Sequence, residues 1–151
     1  MGISEDFAEI QSYAHFWNWL PDWGVVEEIY RAFPESYSVL TPFAYTYMEE
    51  LIRSTTSEYG RETPLDDLGK PRQRKRGTGL IQLAIRENED NIDFVTLLET
   101  MKPYYAPACP TDTGDNRHSV LHGFMHPRFW TKASFEQLIQ DIALLSKYAK
   151  L

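Results

Sequence analysis

Apolar residues recur at three- and four-residue steps in one segment after another of this chain, and alternation of period two never lasts beyond a few residues. That spacing gathers apolar side chains on one helical face, whereas a half-buried strand needs the other period. The last segment is the cleanest. Phe135, Leu138, Ile139, Ile142, Leu145 and Tyr148 form one stripe, and Ser134 with Gln137 has capping-box spacing at its start. In the first segment Ser4 caps, Glu5 and Asp6 favour the positive end of the dipole, and Phe7, Ile10, Ala14, Trp17 and Leu20 face inward until Pro21 stops the run. A second helix from Asp22 carries Val25, Val26, Ile29, Tyr30 and Phe33 up to Pro34. Thr41-Pro42 reads as a cap followed by proline at the first helical position. The helix it opens places Phe43, Tyr47, Leu51 and Thr55 on one face and ends near Gly60. Leu80, Ile81, Ala84 and Ile85 mark another helix, ending near Asn88. Asp90 or Asn91 then caps one with Phe94, Val95, Leu98 and Met101 inward, stopped by Pro103. Asp115 or Asn116 can cap a short helix through about Gly123. With no internal repeat and no boundary signal, residues 1–151 read as one all-α domain, a bundle of five to seven helices.

Composition narrows the class. At 42% hydrophobic, 25% charged and 14% aromatic, the chain is neither disordered nor low-complexity. No run approaches the roughly 20 apolar residues of a membrane span. The opening residues lack a signal-peptide pattern, and Asp6 stands where a myristoylation motif has Ser or Thr. The single cysteine, Cys109, excludes an intramolecular disulfide and suits a reducing compartment. A soluble, cytoplasmic protein without a membrane partner is the expectation.

Net charge is −7, which argues against nucleic acid as a partner, but the charges are polarised. Lys70, Arg72, Arg74, Lys75 and Arg76 place five of the fifteen basic residues within seven positions, leaving ten basic against 22 acidic residues elsewhere. They lie in an aperiodic, Gly- and Pro-containing stretch near 60–79, expected to be an exposed loop. Two readings stand: a solvated loop, or a local contact for the phosphates of RNA on an otherwise acidic body.

Three of the four histidines are spaced four apart: His118, His122 and His126. On a helix His118 and His122 share a face, as helical zinc ligands do, yet no third ligand is evident and Pro127 disfavours helical geometry at His126. A second reading pairs Arg117 with His122. They sit about 140° apart on an ideal helix, but a long arginine can swing toward the histidine's face. Arginine offers a permanent cation matched to phosphate oxygens, and histidine exchanges protons near neutrality. Together they suit RNA cleavage by attack of the ribose 2′-hydroxyl on the adjacent phosphate, with no metal or other cofactor. A purely structural reading also stands: Arg117 pairs with Asp115 or an acidic helix, and the histidines are surface residues beside inward Val120 and Leu121.

The string Asn116-Arg117-His118-Ser119-Val120-Leu121-His122-Gly123 resembles the R-polar-x-x-x-H signature of the HEPN superfamily. Its setting is similar too: a helix late in a small all-α chain, followed by one more amphipathic helix. The close match covers about eight residues, and the architectural one roughly residues 115–150. The resemblance implies a HEPN-like bundle that forms a homodimer and brings two motifs into one cleft. It also implies a metal-independent endoribonuclease of toxin–antitoxin, abortive-infection or other defence systems, with an antitoxin or other protein as a further partner. Arg117 and His122 would then be the catalytic pair, with His118 orienting groups or contacting phosphate and Asn116 contributing to RNA binding. Since the superfamily has non-catalytic members, the alternative is a silent module that binds RNA, a nucleotide or a protein.

Other residues read more plainly. His15 flanks the first apolar stripe as a partly buried structural histidine. Trp17 is expected in the core, while Trp19 lies near a helix end. Cys109, between prolines, has no partner at catalytic spacing, and Ser119 lacks a nucleophile-elbow context.

Overall fold

The computed structural model describes residues 2–61, 63–106 and 130–151. Among them are six α-helices: α1 (Ile3–Tyr13), α2 (Leu20–Ala32), α3 (Tyr37–Ser54), α4 (Gly77–Glu87), α5 (Ile92–Met101) and α6 (Lys132–Ser146). Short 3₁₀ turns, Pro34–Ser36 and Lys102–Tyr105, lead into α3 and out of α5. No strand occurs among the described residues, and one isolated antiparallel bridge joins Leu65 and Pro71. The protein is all-α.

The last helix organises the bundle. Both α1 and α3 pack along α6, α2 lies against α1, and α4 bridges α3 to α5. The stripe read from the sequence faces inward, with Phe135, Leu138, Ile139, Ile142 and Leu145 all buried. An aromatic cluster fills the space between α1, α2 and α3. The ring of Trp23 lies 6.2 Å from Phe7, 5.2 Å from Phe43 and 5.0 Å from Tyr47. Burying each such side chain contributes roughly 1.5–3 kcal/mol, so this cluster is a principal source of cohesion.

Several local expectations are corrected, most of them at prolines and caps. The first helix ends at Tyr13 rather than running to Pro21, and Pro21 instead sits in the first turn of α2, where its missing N–H costs nothing. The intervening turn is held by His15. Its carbonyl accepts from Trp19 and Leu20, and its Nδ1 accepts from the backbone N–H of Trp17 and Asn18. Consequently Trp17 is 75% exposed, not core, while Trp19 packs edge-on to Phe43 and Tyr47. Ser4 lies inside α1, which begins after Gly2, whose N–H donates to Glu5.

Pro42 is likewise interior. α3 starts five residues earlier than Thr41-Pro42 suggested, because the 3₁₀ turn after Pro34 feeds straight into it and Leu40 and Thr41 are buried. The Thr41 hydroxyl donates to the carbonyl of Tyr37, a side-chain bond within the turn that Pro42 leaves one N–H short. α3 ends at Ser54, short of Gly60, as Ser54, Thr55 and Thr56 turn their hydroxyls onto the carbonyls of Leu51, Ile52 and Arg53. At α6 the cap is Thr131, which accepts from Ser134 N–H at 3.0 Å; Ser134 is in the first turn. Asn91 caps α5 as expected, accepting from Phe94 N–H.

Candidate functional site

The motif residues Asn116, Arg117, His118 and His122, with Cys109 and Ser119, lie outside the described residues. The elements on either side are well anchored. The 3₁₀ turn that follows α5 buries Tyr104 and Tyr105. Tyr104 donates its hydroxyl to Asp141 on α6 and stands edge-on to Tyr45 of α3, their centroids 5.9 Å apart. Tyr105 packs against Gly77, whose φ of 53° lies in the left-handed region that favours glycine, and its carbonyl accepts from Thr78. On the other side Trp130 is buried directly before the α6 cap, Thr131.

Burial pushes the Asp141 carboxyl above its ordinary value, while donation from Tyr104 and Gln137 pulls the other way. Tyr30 donates to Glu136 on the same helix, and burial with that carboxylate beside it raises its phenol well above 10.0. Tyr47, buried with no hydrogen-bond partner for its hydroxyl among the described residues, is pushed up to about 12 by desolvation.

The basic run is described in full. It opens from a small pinned loop in which Asp66 accepts from the N–H groups of Leu68 and Lys70 at 2.9 and 2.8 Å. Gly69 supplies a φ of 75°, and Arg72 N–H reaches back to the carbonyl of Pro64. The spacing Asp66-x-x-Gly69 is a turn signal that a sequence reading centred on charge passes over.

From there the cations divide. Arg72 donates to Glu58, whose side chain is fully buried, and the backbone N–H of Lys75 bonds both oxygens of the same carboxylate at 3.1–3.2 Å. Buried Arg53 sends Nη2 to the carbonyl of Lys75 at 2.9 Å and to Glu49 at 3.2 Å, and Nη1 to Glu50 at 3.3 Å. Arg74 comes within 3.8 Å of Glu50. The expectation of a wholly exposed basic loop is therefore corrected: Arg72 and Lys75 are partly buried and bind the loop to the end of α3, and α4 already begins at Gly77. Lys70 and Arg76 are exposed. A buried carboxylate draws donors to itself because leaving it uncompensated is costly, and Glu58 carries no mark in the sequence that would single it out.

Beside the loop lies a cleft of about 450 Å³ whose lining includes Arg72, Lys75 and Arg86 together with Asp66, Asp67 and Glu87. Its two signs of charge are interleaved, so it offers no uniform field to a polyanion. Among the described residues no three His, Cys, Asp or Glu side chains are grouped to hold a metal ion, and no helix is long and apolar enough to cross a membrane.

The fold and these interactions define an all-α bundle with a charged loop tied to its third helix. No family model, curated protein or solved structure matches the chain.

Proposed function

We propose that the protein is a HEPN-like, metal-independent endoribonuclease acting as a homodimer. The observation that carries this reading is the string Arg117-His118-Ser119-Val120-Leu121-His122, set before the amphipathic α6 of an all-α chain. His122 takes the proton of a ribose 2′-hydroxyl as its oxygen attacks the adjacent phosphorus. Arg117 stabilises the charge gathering on the phosphorane, and the bond from phosphorus to the 5′-oxygen breaks. The leaving 5′-oxygen takes a proton from water, so the products are a 2′,3′-cyclic phosphate and a 5′-hydroxyl. His118 contacts phosphate or orients groups, and Asn116 assists in RNA binding. A cytoplasmic role in defence, as a toxin held by an antitoxin, belongs to the same reading.

The basic run supports this less evenly than its charge count implies. Lys70 and Arg76, both exposed, and Arg74, whose side chain is 39% exposed, are the members with charge to offer RNA. Arg72 and Lys75 serve chiefly to seat the loop.

The deciding experiment is cleavage of RNA by wild type, His122→Ala and Arg117→Ala in the presence of EDTA. Wild type should cleave and leave 2′,3′-cyclic ends. Each variant should lose activity at least about a hundredfold while keeping its helical signal and melting temperature, and the double variant should lose little more. Full activity in His122→Ala, or abolition by EDTA, would overturn the mechanism. Absence of cleavage by wild type would favour the silent binding module.

A further inference from the structure

α2 carries two apolar faces. Trp23, Val26 and Tyr30 are buried in the bundle. On the adjoining side Val25 and Ile29, with Phe33 at the C-cap, are 54%, 38% and 70% exposed. Pro21 and Ala32 are exposed as well, and at 3.6 residues per turn Pro21, Val25, Ile29 and Ala32 fall within an arc of about 80°, with Phe33 following at the cap. A solvent-facing apolar stripe of this length on a helix already seated in a core marks a contact surface.

The charges on the stripe have one sign. Asp22 and Glu28, both exposed, fall on or beside the arc, and exposed Glu35 follows in the 3₁₀ turn. The helix's single cation, Arg31, lies off the arc and is paired with Glu27 at 2.7 Å. We propose that this face of α2 docks a basic amphipathic helix of a partner protein, with the partner's apolar residues on Val25, Ile29 and Phe33 and its lysines or arginines beside Asp22, Glu28 and Glu35.

Charge complementarity selects that occupant. A second copy would bring the same acidic set, Asp22, Glu28 and Glu35, to the seam with no cation on the stripe to answer it. Nucleic acid and an anionic bilayer would be repelled by the same three carboxylates. An apolar seam flanked by opposite charges is the arrangement by which a helix is held in a groove or against another helix.

The test uses the whole protein and two synthetic helical peptides of roughly four turns. One carries leucines on one face flanked by lysines, the other leucines flanked by glutamates. Wild type should bind the Leu–Lys peptide in preference to the Leu–Glu peptide, more weakly as salt is raised. Val25→Ser/Ile29→Ser/Phe33→Ser should lose at least about tenfold in affinity with every acidic residue in place. Val25→Arg, a single change at a half-exposed site, should do the same without touching the core, and Ile92→Ser on α5 should change nothing. Asp22→Lys/Glu28→Lys should switch the preference to the Leu–Glu peptide. Binding unaltered in the triple variant, or no switch in the lysine variant, overturns the proposal. It is also overturned if wild type partitions onto phosphatidylcholine vesicles through these residues, or if they hold a dimer that the triple variant dissociates. RNA cleavage is measured separately and is expected unchanged in every one of these variants, so failure here leaves the assignment of Arg117 and His122 untouched.

Discussion

Glu58 and Arg72 show how one carboxylate reassigns a neighbouring cation. With its side chain fully buried, Glu58 depends on Arg72, the Lys75 N–H and, at 3.9 Å, Arg53 Nε for compensation. Arg72→Gln is expected to destabilise the fold by about 2–3 kcal/mol in urea unfolding, below the usual range for a broken buried pair because Arg72 is itself 23% exposed. Adding Glu58→Gln should restore part of that loss. Lys70→Gln and Arg76→Gln, at exposed positions, should each stay within about 0.5 kcal/mol of wild type. Asp141 supplies a pH signature. Burial raises its carboxyl in the folded state, so the fold holds the proton more tightly than the unfolded chain does. The resulting stabilisation is complete below the unfolded value of 3.8, declines as pH rises through the higher folded value, and is absent at neutrality. Asp141→Asn keeps an acceptor for Tyr104 without the charge. It should therefore be more stable than wild type at neutral pH, by a margin that shrinks on acidification toward pH 4 in parallel denaturation curves. A margin independent of pH would assign the effect to packing instead.

At the scale of elements, the interiors of helices were legible and their ends less so. The stripes of α4, α5 and α6 face inward as their periodicity implies, since which residues share a helical face is fixed by 3.6 residues per turn. The exception is on α5, where Leu97 rather than Val95 packs beside Phe94, Leu98 and Met101. Ends depend on which polar side chain reaches a free N–H, and neighbours compete for that. Thr131 takes the α6 cap from Ser134, three residues on, and Thr131→Ala should cost about 1 kcal/mol of stability while Ser134→Ala costs only a few tenths. Proline was the least reliable guide. Pro21 starts a helix and Pro42 lies inside one, because the ring forbids only the bond its own N–H would make, and tertiary packing decides whether the helix continues.

For the whole molecule, the proposed chemistry needs more groups than one Arg–His pair supplies, and a two-fold assembly would bring two pairs to one cleft. A homodimer is expected by light scattering at micromolar concentration; a monomer that retains full activity would refute the shared cleft. The pairing of Arg117 with His122 is one reading of spacing and residue type, Asn116 joins it only through the resemblance, and the clustering of Lys70 to Arg76 is plain in the sequence. The sequence also set the all-α class and most of the buried positions, because helical periodicity is a local property repeated in segment after segment. It could not say that Trp17 stands in solvent on a turn held by His15, that the other described residues leave Val25, Ile29 and Phe33 exposed, or that Glu58 draws Arg72 out of the basic run. Each of those depends on what another part of the chain brings alongside: a face becomes core only when a partner covers it, and a charge is spent only when burial sets an opposite charge within reach.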